Sequence, residues 1–259
     1  MKQIPNLFTL LNLVFGCLAI VAILQPGIVI YTDASENMQY VNIPEQIYLG
    51  SIFIGCAAVI DFLDGFVARL LKASSEIGKQ LDSLADVISF GVAPGFIVYQ
   101  FLKLSYAQQE NGLDINTLWL LPAFIIPCAG AYRLARFNID TAQSHGFKGV
   151  PIPAAGLLIA SFPLIYWMTY EQYSWIVPVL ISKWFWYGVI VIVSWLMVSS
   201  LPMMALKFKK TDVKSLMPFI IIAVIALVSA FIAGWLAVPI TFIVYVILSL
   251  LYKQQQHDI

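Results

Sequence analysis

Four aspartates, Asp61, Asp64, Asp82 and Asp86, fall within 26 residues of a chain that is otherwise mostly hydrocarbon. Residues three or four apart share one face of a helix. Asp61 and Asp64 therefore point one way from one helix, and Asp82 and Asp86 one way from the next. Between the pairs lies LLKASSEIGKQ, which predicts a short turn and antiparallel neighbouring helices with opposed acidic faces. Carboxylates that close repel one another, and desolvating them near a membrane is costly. Two divalent cations relieve both problems, and an all-oxygen ligand set favours Mg2+ or Mn2+, with Ca2+ as a further occupant, over zinc. Two cations bridged by shared carboxylates are a common clamp for a phosphoryl centre. The residues in between suit a diphosphate: Gly65 and Gly78 leave room for a phosphate or ribose, Arg69 offers a cationic fork, and Ser75 adds a hydroxyl donor. A plain interfacial pairing with Arg69, Lys72 and Lys79 would account for one aspartate, but not for four at this spacing.

The full string is D-x2-D-G-x2-A-R-x8-G-x3-D-x3-D, present without a gap as Asp61, Asp64, Gly65, Ala68, Arg69, Gly78, Asp82 and Asp86. It resembles the signature of the CDP-alcohol phosphotransferases, integral membrane enzymes that move a phosphatidyl or related group from a CDP-linked donor to an alcohol and release CMP. The resemblance implies that Asp61 and Asp82 bridge two metals, that Asp64 completes one site, and that Asp86 completes the other. It makes Asp86 the general base for the acceptor hydroxyl as well. Gly65, Arg69, Ser75 and Gly78 would contact the CDP moiety and its diphosphate, and the assembly would be a homodimer.

The elements that must carry these residues are membrane helices. The chain has 259 residues, 61% hydrophobic and 11% charged, with a net charge of zero; a soluble domain carries roughly 25% charged residues. Zero net charge also removes a nucleic-acid reading based on a basic surface. A crossing needs about 20 apolar residues, and by that measure about eight spans are expected, at roughly 7–25, 47–70, 82–102, 117–136, 152–169, 184–204, 216–233 and 235–252. The expected fold is an all-α polytopic bundle forming one membrane domain, 1–259, with a catalytic core at about 4–205 and a C-terminal helical hairpin at about 215–252, turned at Gly234. The first span, without a strongly basic leader or a clear cleavage site, is expected to be retained. Cys17, Cys56 and Cys128 sit singly in apolar segments and are read as small buried hydrophobes.

Charge orients the bundle. With the N-terminus inside, Lys2, Arg69, Lys72, Lys79, Arg133, Arg136, Lys148, Lys207, Lys209, Lys210, Lys214 and Lys253 fall on the cytoplasmic side, leaving only Lys103 and Lys183 outside. This bias predicts an inner-membrane, multi-pass protein with both termini and the aspartates facing the cytoplasm.

Two further stretches bear on the acceptor. Asn6, Thr9 and Asn12 recur every three residues along one stripe of the first span, within P-N-x2-T-x2-N-x3-G. Capping explains Asn6 but not Asn12, a turn and a half further in. Arg133, Arg136 and Asn138 end the fourth span, and Phe147, Gly149, Pro151 and Pro153 open the next. A positive-inside anchor would explain Lys148 better than it explains two arginines in an apolar helix end. A carboxylate-bearing acceptor calls for a bidentate arginine. Both stretches resemble the serine-using branch of the same family, the membrane-integral phosphatidylserine synthases. That resemblance implies transfer of a phosphatidyl group from CDP-diacylglycerol to L-serine. Asn6, Thr9 and Asn12 would then enclose the nucleotide, with Arg133, Arg136 and Asn138 as acceptor-site candidates. The aspartate signature itself is blind to the acceptor, so glycerol 3-phosphate or inositol phosphate remains an alternative. A metal-dependent membrane prenyltransferase would split its acidic motifs between distant helices, and a cation transporter would carry polar residues deeper along several spans. The last third offers only apolar spans and the basic loop LKFKKTDVK, read as an anchor to anionic head groups.

Overall fold

The computed structural model describes residues 4–25, 29–33, 38–42, 46–71, 75–109, 114–139, 147–169, 174–204 and 213–257. Its main elements are α1 (Ile4–Leu24), α2 (Ile47–Leu70), α3 (Glu76–Asp86), α4 (Ala93–Ala107), α5 (Ile125–Ile139), α6 (Ile152–Thr169), α7 (Val177–Leu180), α8 (Lys183–Val198), α9 (Val213–Ala233) and α10 (Ala237–His257). Two small antiparallel ladders were not expected from the sequence: β1 (Val29–Asp33) with β2 (Met38–Asn42), and β3 (Phe147–Lys148) with β4 (Pro202–Met203).

Among the described residues, five helical stretches are long and apolar enough to cross a membrane: Pro5–Leu24, Ile47–Leu70, Glu76–Ala107, Thr117–Ile139 and Leu216–Leu251. Ile152–Met168 and Lys183–Val198 are shorter apolar helices. The expected seventh and eighth spans share Leu216–Leu251, folded back where Gly234 takes a left-handed φ of 54° between α9 and α10. Glycine enters that region without a Cβ penalty, so it ends α9 and permits the reversal. The sixth span stops earlier than expected, at Val198, because the chain then turns into β4. The third begins earlier, at Glu76, because Ser75 takes an extended conformation and its side chain accepts from the Gly78 amide at 3.0 Å. This N-cap satisfies one of the orphan donors of the first turn. Asp82 and Asp86 consequently lie inside the helix rather than at its start.

The stretch from Glu76 to Ala107 runs as α3, a π-helical turn over Val87–Val92, and α4. Pro94 supplies a local reason. It has no N–H to give the Phe90 carbonyl, and its ring crowds a regular turn. The wider turn instead lets the Ala93 amide reach back five residues to the Ile88 carbonyl. Neighbours close in on this turn through small residues. A Cβ on Gly16 of α1 would stand 2.4 Å from Ser89 Oγ, and one on Gly156 of α6 would stand 2.8 Å from the Phe90 carbonyl oxygen. In hydrocarbon, such close backbone approaches supply the packing that a hydrophobic effect between helices cannot. Ser89 Oγ also donates to the Asn12 carbonyl at 3.1 Å, and Gln100 Nε2 to the Ile23 carbonyl at 2.9 Å, both binding this helix to α1.

Pro127 sits in the first turn of α5, where its missing N–H would have no intrahelical partner, and two short 3-10 turns (Thr117–Trp119 and Leu121–Phe124) lead into that helix. Below the site, Phe101 stacks on Trp186 at 4.4 Å, and Trp186 Nε1 donates to the Leu180 carbonyl at 2.7 Å. The ring nitrogen thus keeps a partner within a fully buried aromatic cluster. α1 packs along α2 and reaches α3 and the π turn, so one helix braces both carriers of the aspartates.

Candidate active site

The last turns of α2 present Asp61 and Asp64, and the second half of α3 presents Asp82 and Asp86. Carboxylate oxygens of Asp61, Asp64 and Asp82 all lie within 4.8 Å of one another. Asp61 also approaches Asp86, so the four meet as the i, i+3 and i, i+4 spacings predicted. Asp64 and Asp86 are buried, and Asp61 and Asp82 are half-buried. Thr9 Oγ1 donates to Asp64 Oδ2 at 2.7 Å, fixing one carboxylate from α1. Asp86 Oδ1 is a buried oxygen with no hydrogen-bond partner among the described residues. Anionic oxygens so close, some without donors, are suited to a divalent cation: three converge on one point, and hard oxygen donors match Mg2+ or Mn2+.

A cavity of about 510 Å³ opens on the Asp64 and Asp82 side of the cluster. Pro5, Asn6 and Thr9 of α1 form one wall, Asp64, Gly65 and Ala68 of α2 another, and Ser75, Glu76, Gly78, Lys79 and Asp82 a third. The first turn of α3 therefore faces the space, and a helix N-terminus attracts anions through its amides and dipole. The two motif glycines differ here. A Cβ on Gly78 would come 2.9 Å from Asn6 Oδ1 and 3.0 Å from Ser75 Oγ, so protein packing already accounts for that glycine. A Cβ on Gly65 would meet no atom within 4 Å. Its missing side chain is space kept in the cavity, not room for a neighbour.

The remaining residues singled out from the sequence separate into distinct places. Arg69 is exposed and does not line the cavity, although it belongs to the signature. Asn12 lies deeper, on the Asp86 side; its side-chain amide is wholly buried, and neither polar atom has a partner among the described residues. Arg133 is 7% exposed, its guanidinium lies in electrostatic reach of Asp86, and its Nε is unpartnered among the described residues. Arg136 is exposed and donates to the Val198 carbonyl at 3.3 Å, capping the end of α8. Asn138 Nδ2 donates to Ser83 Oγ at 2.8 Å and ties α5 to α3. Of the three acceptor candidates, Arg133 is the one brought to Asp86. Lys2, Lys72, the serine–alanine part of the α2–α3 turn and most of the basic loop after Ala205 lie outside the described residues.

Sequence reasoning passed over Glu76 and Lys79 as cavity residues; the signal was their place in the first turn of a capped helix. It also passed over Tyr245, which lies in electrostatic reach of Arg133.

A family model for CDP-alcohol phosphatidyltransferase matches residues 2–184, a range that takes in the whole acidic cluster and the cavity. The chain belongs to this family. The CDP-alcohol phosphatidyltransferase fold and its long apolar helices make it an integral membrane protein. A Helicobacter pylori (strain ATCC 700392 / 26695) protein named CDP-diacylglycerol–serine O-phosphatidyltransferase is 34% identical over 157 residues, covering 60% of this chain and 54% of that one. A Bacillus subtilis (strain 168) protein of the same name is 34% identical over 170 residues, covering 62% and 77%. An archaetidylserine synthase of Methanothermobacter thermautotrophicus is 33% identical over 163 residues, covering 62% and 58%. The chain thus spans about half the length of the Helicobacter relative that it matches.

Proposed function

We propose that this protein transfers the phosphatidyl group of CDP-diacylglycerol to the hydroxyl of L-serine, giving phosphatidylserine and CMP. The observation that carries the reading is the acidic cluster, set between an open cavity with a helix N-terminus on one side and a buried arginine on the other. The names of the similar proteins, which specify serine, support the same acceptor.

In this reading the cavity takes the CDP moiety. Gly65 keeps the floor open, Asn6 and Thr9 line the α1 wall, and Ser75 and Gly78 shape the anion-binding turn. Asn12 belongs with the donor contacts as well, although it sits nearer Asp86. Arg69, from its exposed position, would meet a phosphate or the lipid interface. Asp61, Asp64, Asp82 and Asp86 would hold two divalent cations, Mg2+ or Mn2+, which when bound neutralise charge on the diphosphate and stabilise CMP as leaving group. Asp86 takes the proton from the serine hydroxyl. The serine oxygen attacks the phosphorus that carries the diacylglycerol, the bond from that phosphorus to the CMP oxygen breaks, and CMP leaves with the electron pair. Arg133 holds the serine carboxylate, because a buried guanidinium beside the base is placed to pair an anionic group of the acceptor. The lipid tails stay in the bilayer. A cytoplasmic site, supported by the Lys/Arg bias, would put soluble serine within reach; a homodimer belongs to the same proposal.

The test is an acceptor panel. Purified protein with CDP-diacylglycerol and Mn2+ should release CMP on addition of serine and stop when the metal is chelated. Release with glycerol 3-phosphate or inositol phosphate but not with serine would overturn the acceptor assignment. A donor preference for archaetidyl over diacyl chains would revise only the lipid half.

A further inference from the structure

Asn6, Thr9 and Asn12 share a stripe of α1, but only the first two line the cavity. Asn12 is fully enclosed, and it is the one side chain among the described residues whose two polar atoms are both buried and unpaired. Its carbonyl accepts from Ser89 Oγ at 3.1 Å, but that bond belongs to the backbone and leaves the amide out. On α10, by contrast, the inward stripe pairs with the chain. Ser249 Oγ accepts from the Met204 amide and the Tyr245 hydroxyl donates to the Met204 carbonyl, each at 3.3 Å. An amide offers both a donor and an acceptor, and burying the two without partners is costly. Such a group asks for a reason outside the protein's own contacts.

What the amide faces follows from contacts on either side of it. α1 packs along α3 and the π turn. Near its start, Asn6 Oδ1 stands 2.9 Å from where a Cβ on Gly78 would lie; further on, a Cβ on Gly16 would press on Ser89 Oγ. The two helices therefore run the same way, and Asn12 lies between these points. It stands four residues before Gly16, so it shares the face that Gly16 turns to Ser89. A helical side chain leans toward the N-terminus of its own helix. That aims Asn12 at the turn before Ser89, which carries Asp86. α5 is registered against the same helix: Pro127 Cα would lie 3.3 Å from a Cβ on Gly91, and Asn138 Nδ2 donates to Ser83 Oγ at 2.8 Å. Arg133 falls midway between those contacts, as Asp86 falls between Ser83 and Gly91. Amide, carboxylate and guanidinium thus sit at one level, all buried, with Asp86 Oδ1 and Arg133 Nε also unpaired among the described residues.

We propose that, in addition to its place among the donor contacts, Asn12 determines acceptor specificity, its Oδ1 accepting from the ammonium of an amino acid. The inference rests on the serine reading above and extends it. Arg133 takes the carboxylate, Asp86 the hydroxyl proton, and Asn12 the third group, the one that separates serine from a phosphorylated polyol. A neutral amide suits that place. A further carboxylate would add to the repulsion among the aspartates, whereas an amide oxygen accepts from an ammonium without doing so.

The test uses the full chain in detergent micelles with CDP-diacylglycerol and Mn2+, and reads CMP release as kcat/KM for three acceptors. Serine carries all three groups, 3-hydroxypropanoate lacks the ammonium, and ethanolamine lacks the carboxylate. Asn12→Leu should lower kcat/KM for serine and for ethanolamine by about ten- to a hundredfold, the scale of one hydrogen bond to a charged group. The value for 3-hydroxypropanoate should fall far less, so the preference for serine over it collapses. That ratio cancels the folded fraction and any loss of donor binding, which lower every acceptor alike. Where 3-hydroxypropanoate turns over too slowly to follow, its inhibition constant against serine is read instead and should stay near wild type while the serine KM rises. Asn12→Ala repeats the comparison with a smaller side chain. A serine preference that survives in either active variant, or an ethanolamine rate that does not fall with that of serine, overturns the proposal and leaves the serine reading intact. Loss of all turnover in both variants overturns it too, by placing the amide in machinery common to every acceptor. Wild-type protein that uses glycerol 3-phosphate but not serine overturns the serine reading and this inference with it.

Discussion

The helix Glu76–Ala107 and the hairpin Leu216–Leu251 are of similar length, 32 and 36 residues, yet 67% of an apolar 18-residue window of the one and 6% of such a window of the other is buried inside the protein. The more apolar of the two is the one left facing outward. In water that would be a contradiction; in a bilayer, lipid chains solvate leucine and isoleucine as well as protein does, so apolarity no longer marks the interior. What marks it is close approach and polar contact. The enclosed helix has Ser89 and Gln100 bonded to α1 and is met by Gly16 and Gly156, whereas the hairpin turns inward along a single stripe.

Four substitutions probe this contrast, and the largest effect belongs to the enclosed helix. Asp86→Asn should lower turnover by about 10²–10⁴, the usual range for a general base, with donor binding retained. Near-normal CMP release would remove Asp86 as base and leave the buried helix a purely structural element. Gly156→Val comes next, because its Cβ would press on the Phe90 carbonyl, which is backbone and cannot swing away. Overpacking of that kind costs about 1–3 kcal/mol, to be read as a fall in thermal unfolding midpoint in detergent. An unshifted midpoint would mean that the π turn yields, and that the enclosure is softer than described. In the hairpin, Ser249→Ala should lose about 1 kcal/mol through the Met204 amide, measurable in the same unfolding experiment. The smallest change is expected at Phe231, 95% exposed on α9. Phe231→Ala should shift stability by less than about 0.5 kcal/mol. A large loss there would show that the outer face of the hairpin is covered by protein, and the contrast would fail.

Much of this was legible before any coordinates. The i, i+3 and i, i+4 aspartates brought themselves together, since helical periodicity alone fixes which face they share. The boundaries of α2 and α6 agree with their apolar runs. Other features depended on partners distant in sequence. Arg133 and Arg136 are three residues apart and equally basic, yet α8 ends beside one and Asp86 lies beside the other. No local pattern separates them. The count of eight spans was drawn from apolar length, and the two short helices α6 and α8 show the limit of that measure: among the described residues five stretches reach the length of a crossing, and these two fall short of it. Ser75, expected as a ligand contact, stands in the structure as an N-cap, a use that S-x-x at a helix start could have announced. Tyr245 was invisible because a single tyrosine in an apolar run looks like any other interfacial ring.

The π turn after Asp86 has a geometric consequence. A π turn holds one residue more than an α turn, and one residue is about 100° of rotation. Deleting a single residue between Val87 and Val92 would leave composition and apolar length almost untouched. It would nonetheless put the two halves of the helix out of phase, swinging Asp82 and Asp86 about the axis relative to the face that Gly95 presents to Pro127. The turn works as an angular offset written into the chain, letting one half of the helix aim its aspartates into the acidic cluster while the other keeps its heading in the bundle.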